Sequence, residues 1–322
     1  MPFRQEHLLR ADMQRVVDAL HHEESNVTPY RQDYRNLLDN HGKMIRASLV
    51  LLFSYAIQER PEPAPEAIVT GAKAIEMLHL ATLVHDDVLD NAPIRRNKPT
   101  VHTMRGNKAA IYLGDLILSR YMEVMASVAP NTAFVTYQAH TVNEIVAGDL
   151  LQESARHNTG ITEEYYTRAV SGKTAALFRL ACTTGLELSG VDPANPLITL
   201  ARDYGENLGV AFQIMDDIED FNVEHDTGKP KLEDIRDGIY TLPVILAMKE
   251  DPSFITLVKS DDPAKALDYL DVHPEYIERS KDTVRERCGK ARQALGEPAG
   301  DKLNADIKAL LVKTLDKLVA SL

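Results

Sequence analysis

The chain is organised around His79-Leu80-Ala81-Thr82-Leu83-Val84-His85-Asp86-Asp87-Val88-Leu89-Asp90, an apolar helical run that ends in three carboxylates. At helical spacing Asp86 and Asp90 stand one turn apart on one face, with Asp87 beside them. Three oxygen ligands gathered in this way suit a hard cation.

The pattern returns in Gln213-Ile214-Met215-Asp216-Asp217-Ile218-Glu219-Asp220, again at the end of an apolar stretch, Leu208 to Met215. Mg2+ prefers octahedral oxygen coordination and takes one or two carboxylates together with water and substrate phosphate. Two such half-sites predict one shared metal centre with a diphosphate held between them. Aspartate pairs are common in acidic proteins, so one copy alone would say little; two at the ends of apolar helices say more.

The net charge is -12 over 322 residues, spread along the chain, which speaks against nonspecific nucleic-acid binding. The 44% apolar content is ample for a core. Cys182 and Cys288 are far apart and lack metal-ligand spacing, so neither a disulfide framework nor a zinc site is expected. The N-terminus lacks a signal-peptide core, and no run is expected to reach the length of a spanning helix. These features predict a soluble, cytoplasmic protein without a transmembrane segment.

In chain order, residues 6–20 place Leu8, Leu9, Met13, Val16, Val17 and Leu20 on one helical stripe. Gly42-Lys43-Met44-Ile45-Arg46 follows, with Lys43 and Arg46 sharing a face at the start of an apolar helix, a good place for a phosphate. After the turn-rich Arg60 to Pro65, a helix is expected from Glu66 to Asp90, then a polar loop from Asn91 to Gly106 carrying Arg95, Arg96, Lys98, His102 and Arg105. This basic loop beside a carboxylate cluster reads as an anion site. Helices are expected over 107–129, 131–157, 161–189 and 197–221, and amphipathic segments fill the last 70 residues. Ser171-Gly172-Lys173-Thr174 is too short for a nucleotide-binding loop and reads as a helix kink. No alternating strand pattern persists, so the fold is expected to be all-α, in one domain over residues 1–322.

These elements resemble the trans-polyprenyl (E-isoprenyl) diphosphate synthase family, from about Gly42 to Met248. The likeness rests on Gly42-Lys43-x-x-Arg46, the first Asp-rich motif with Arg95-Arg96 and Lys98-Pro99-Thr100 after it, Lys173-Thr174, Gln213 before the second Asp-rich motif, and Thr241-Leu242-Pro243. It resembles in particular the catalytic component of heptaprenyl diphosphate synthase. The resemblance implies a helical bundle around a deep central cavity, as a homodimer or with a small regulatory subunit. It further implies that Asp86, Asp90 and Asp216 carry Mg2+, supported by Asp87, Asp217 and Asp220. Arg95, Lys173 and Lys229 would contact an allylic diphosphate such as farnesyl diphosphate; Lys43, Arg46, His79 and Arg96 would hold isopentenyl diphosphate. The leaving diphosphate gains charge as its C–O bond breaks, so metal and cationic side chains must stabilise it. The allylic cation needs a dry site with oriented dipoles, for which the Thr174 hydroxyl and Gln213 carbonyl are suited. His85 has no such support and reads as packing or as support to its neighbours.

A tail growing down from Asp86 meets position 82 after one turn, about 5.4 Å lower. An aromatic residue there would stop a short product; Ala81 and Thr82 are small, and Leu78 marks the next turn. The expected product is longer than C20, heptaprenyl or octaprenyl diphosphate. Two positions depart from the family pattern: Met44 stands where Arg is usual, and Ile239 where Lys is usual. These leave open a regulatory or weakly active subunit that needs a partner, and a farnesyl or geranylgeranyl diphosphate synthase stays open as well. A terpene cyclase would have no need of the second diphosphate site implied by Lys43, Arg46 and Arg96, and with no Trp and 6% aromatics the chain has few rings to guide a folded cation.

Overall fold

The computed structural model describes residues 2–24, 27–221, 233–260, 262 and 264–322. Its helices, in chain order, are α1 (Pro2–His21), α2 (Arg31–Asp39), α3 (Ile45–Ala56), α4 (Glu66–Leu89), α5 (Val101–Arg105), α6 (Asn107–Ser127), α7 (Thr132–Ser154), α8 (Glu163–Val170), α9 (Ala176–Leu188), α10 (Pro196–Glu219), α11 (Glu233–Arg236), α12 (Leu242–Glu250), α13 (Phe254–Val258), α14 (Ala264–Val272), α15 (Glu275–Gly296) and α16 (Ala305–Ala320). The only strands among the described residues are β1 (Ile94–Arg95) and β2 (Lys98–Pro99). The all-α expectation holds. The basic loop is more ordered than its polar composition suggested, since it contains this hairpin and α5.

The chain divides into two compact units. The first comprises residues 1–138, 180–202 and 297–311. Here α3 is buried at every position from Leu49 to Ala56, as an all-round apolar helix must be. Asp12 of α1 is 1% exposed and accepts from the Tyr55 hydroxyl (2.5 Å), the Ala64 amide (2.7 Å) and Arg15 (2.7 Å). This satisfied anion ties α1 to α3 and to the entry of α4. Glu23 likewise accepts from Lys73 of α4 (2.8 Å) and Arg120 of α6 (2.9 Å), fixing both helices.

α4 corrects the expectation that no run reaches spanning length. It has 24 residues, and its most apolar stretch has a mean hydropathy of 1.4, long and apolar enough to cross a membrane on length and composition. Of that stretch, 61% is buried inside the protein. An interior helix meets protein on most sides, so its sequence converges on that of a spanning one.

The second unit comprises residues 139–179, 203–296 and 312–322. Between α8 and α9, Ser171–Ala175 forms a π-helical turn, the physical form of the kink read at Ser171-Gly172-Lys173-Thr174. Small residues let its neighbours close in. A Cβ on Gly148 of α7 would lie 2.2 Å from the Lys173 nitrogen, and one on Gly209 of α10 would lie 2.6 Å from the Ala175 Cα. Tyr204, Phe178 and Phe254 are fully buried in this unit.

Candidate active site

In the first unit, α4 carries two chemically opposed regions. Its C-terminus bears Asp86, Asp87 and Asp90, where the Asp90 amide donates to the Asp86 carbonyl at 2.8 Å. Asp90 is exposed and Asp86 partly buried. Asp87 is 6% exposed; burial pushes its carboxyl up, opposed by Arg95, whose Nε donates to Oδ1 at 2.6 Å. Two turns earlier stands His79. Its imidazole is pushed well below the ordinary value by lost hydration, then by the charges of Arg46, Arg96 and Arg95. His79 is therefore neutral at pH 7 within a field of guanidiniums.

The hairpin explains how Arg95 and Arg96 reach that place. Arg95 pairs with Lys98 and Ile94 with Pro99, leaving the two-residue turn Arg96-Asn97 with φ of +51° and +61°. Two positive φ values match the right-handed twist of an antiparallel pair. His102 Nε2 and the Thr100 hydroxyl anchor the hairpin at the Ala92 carbonyl, 2.7 and 2.9 Å away. The Arg96 guanidinium donates to the Asn40 carbonyl and lies against Gly42, where a Cβ would come within 2.6 Å of it. Lys43 is exposed, and Met44, 5% exposed with φ +49°, caps α3 without a side-chain hydrogen bond. A cleft lined by His41, Gly42, Glu76, His79, Arg96 and leucines from α1, α2 and α4 brings these groups together.

Further down α4, Leu78 and Ala81 are each 1% exposed. Thr82 is partly buried, and its hydroxyl donates to the His79 carbonyl at 2.8 Å. His85 lies against α6, with Nε2 3.2 Å from Asp115 and the ring where a Gly114 Cβ would be.

In the second unit, a chain of hydrogen bonds orders the other motif. The Thr174 hydroxyl donates to Gln213 Oε1 (2.7 Å), Gln213 Nε2 donates to Asp217 Oδ1 (2.8 Å), and the Tyr166 hydroxyl donates to Asp217 Oδ2. Burial pushes the Asp217 carboxyl up to about 7, against the pull of these two donors. Asp216 is exposed and Asp220 partly buried. The π turn places Lys173, whose Nζ is 3.2 Å from Asp149. Lys229, like Lys231, lies outside the described residues. Among the described residues, no three acidic, imidazole or thiol groups are placed to hold a metal by themselves. Carboxylates of this kind fit a hard ion that keeps water and phosphate oxygens as further ligands.

Three residues were not assigned from sequence. Glu76 and Asp149 carried a signal, the first as a lone acid inside an apolar helix three residues before His79, the second inside Gly148-Asp149-Leu150-Leu151-Gln152. Tyr166 carried none, because its partner Asp217 is distant in the chain.

Long helices that end in acidic clusters, in an all-α chain, place it in the isoprenoid-synthase fold class. The family described as Polyprenyl synthetase matches residues 28–267, and the chain belongs to it. It is 37% identical over 273 residues to mitochondrial solanesyl-diphosphate synthase 1 of Oryza sativa subsp. japonica, covering 79% of this chain and 63% of the rice protein. The match thus spans less than two thirds of that relative. Among solved structures, heptaprenyl diphosphate synthase of Staphylococcus aureus superposes with a TM-score of 0.88 at 25% identity, covering 97% of this chain and 98% of that one. A polyprenyl synthase from Caulobacter crescentus CB15, complexed with calcium and isoprenyl diphosphate, gives 0.85 at 26% identity, over 99% and 98% of the two chains.

Proposed function

We propose that the protein is a long-chain trans-polyprenyl diphosphate synthase, which condenses isopentenyl diphosphate onto an allylic diphosphate and makes a product longer than C20. The observation that carries this is on α4: His79, close enough to Arg46, Arg96 and Arg95 to feel their charges, stands two turns from Asp86, Asp87 and Asp90. The solanesyl and heptaprenyl synthases among its relatives support the long product. The two units are read as one catalytic domain, acting as a homodimer in the cytoplasm.

In this reading Asp86, Asp90 and Asp216 hold Mg2+, with Asp87, Asp217 and Asp220 in support; the metal supplies positive charge to the leaving diphosphate. Lys173 and Arg95, with Lys229, bind the allylic diphosphate. Lys43, Arg46, His79 and Arg96 bind isopentenyl diphosphate, and a neutral His79 can donate one hydrogen bond without adding charge. The Thr174 and Gln213 dipoles, fixed by their mutual bond, face the developing cation in a site whose apolar walls exclude water. Isopentenyl diphosphate attacks the cation through its double bond, and the proton lost from the new chain passes to the departed diphosphate. Met44 is packed into the protein at the start of α3 and Ile239 is partly buried. In this reading each departure removes one possible diphosphate contact, worth a few kcal/mol at most, and the expected consequence is weaker activity or the need of a partner.

Incubation of the purified chain with labelled isopentenyl diphosphate, farnesyl diphosphate and Mg2+, with sizing of the products, tests the reading. Products longer than C20 are expected. No elongation by the chain alone would favour the subunit that needs a partner.

A further inference from the structure

Glu76 is a carboxylate in an apolar helix, 8% exposed, lining the same cleft as His79 and Arg96. Its Oε1 accepts the amide of Ala47 at 2.9 Å. Ala47 is the third residue of α3, so this N–H belongs to the first turn, which has no intrahelical carbonyl to donate to. The residue in the N-cap place, Met44, offers no side-chain acceptor. An acid from α4 thus does from outside what a Ser or Asp at the helix start usually does. Burial pushes the Glu76 carboxyl up, and the Ala47 amide and then the charges of Arg46 and Arg96 act against it, so Glu76 has guanidiniums on its polar side.

We propose that Glu76 is a positioning residue for the isopentenyl diphosphate subsite: through the Ala47 amide and the neighbouring guanidiniums it fixes the start of α3, with Lys43 and Arg46, relative to His79 on α4. The inference rests on the function proposed above. Glu76 itself does not touch the diphosphate, since like charges would repel. In the absence of substrate it is the counter-charge that keeps Arg46 and Arg96 from repelling one another out of place. Binding then meets a formed site rather than one that must be ordered first.

Two opposed effects make the test sharp. Coulomb's law alone says that removing an anion beside an anion site tightens binding, whereas loss of positioning weakens it. Glu76→Gln keeps an oxygen for the Ala47 amide but removes the charge, and Glu76→Asp keeps the charge with a shorter reach. The expected result for Glu76→Gln is a rise of about fivefold or more in KM for isopentenyl diphosphate, with KM for the allylic substrate within about twofold. Glu76→Asp, which restores the charge, should fall between the two. A KM for isopentenyl diphosphate that is unchanged or lower in folded Glu76→Gln, or an equal rise in both KM values, overturns the proposal. Calorimetric titration with isopentenyl diphosphate alone gives the same comparison without turnover. An unaltered chain that binds this ligand yet elongates nothing would therefore count against elongation by the chain alone while leaving the Glu76 comparison readable.

Discussion

His79 shows how one buried group makes stability depend on pH. Its folded pKa lies well below the unfolded value of 6.5, so above that pH neither state binds the proton and there is no difference. As pH falls through 6.5 the unfolded chain takes up a proton that the folded one refuses, and stability drops until the folded pKa is reached. The slope is at most about 1.4 kcal/mol per pH unit. Urea unfolding at pH 7.5 and 5.5 should show a loss in the parent that is smaller by about 1 kcal/mol in His79→Gln; parallel losses would mean that His79 protonates freely. Gly148 is a steric counterpart. A Cβ there would meet the Lys173 nitrogen and the Gly172 backbone, which cannot yield as a flexible side-chain tip could. Gly148→Ala should cost about 1–3 kcal/mol in unfolding free energy and lower activity through displacement of Lys173.

At the scale of elements, the proposed function would make α4 a ruler. Successive turns below Asp86 present Thr82 and Leu78, with Ala81 beside them, and each turn is about as long as one isoprene unit. Replacement of Ala81 or Thr82 by Phe should shift product sizing to shorter chains; unchanged length in both variants would remove these positions from the tail's path. Much of this was legible beforehand. The length of α4, the acidic ends of α4 and α10, and the break at Ser171-Gly172-Lys173-Thr174 all follow from apolar periodicity and local composition. What was not legible depends on tertiary contact. A π turn has i→i+5 backbone bonds that local composition does not announce, with Gly148 and Gly209 packed close against it, and the Arg96-Asn97 turn lacks the glycine that would announce it. Glu76 was passed over because periodicity marks an acid in an apolar run as an exception and cannot say what satisfies it.

At the scale of the molecule, Ile111, Tyr112 and Met122 of α6 are 44%, 64% and 45% exposed. If the proposed homodimer forms, these exposed apolar groups are where its surface is expected. Light scattering should give twice the 35.9 kDa chain mass, and Ile111→Asp combined with Tyr112→Asp should return it toward one chain. The first unit has a further property. Its N-terminal segments, which carry Lys43, Arg46 and His79, are completed by residues 297–311, where the Asn304 amide donates to the Ala56 carbonyl at 2.6 Å and Gln5 donates to Asp306 at 3.1 Å. During translation these segments therefore wait for a piece of chain made much later. A nascent chain that has not yet reached residue 297 holds residues 1–138 without the piece that completes their unit, so segments made earlier mature only after later ones have emerged.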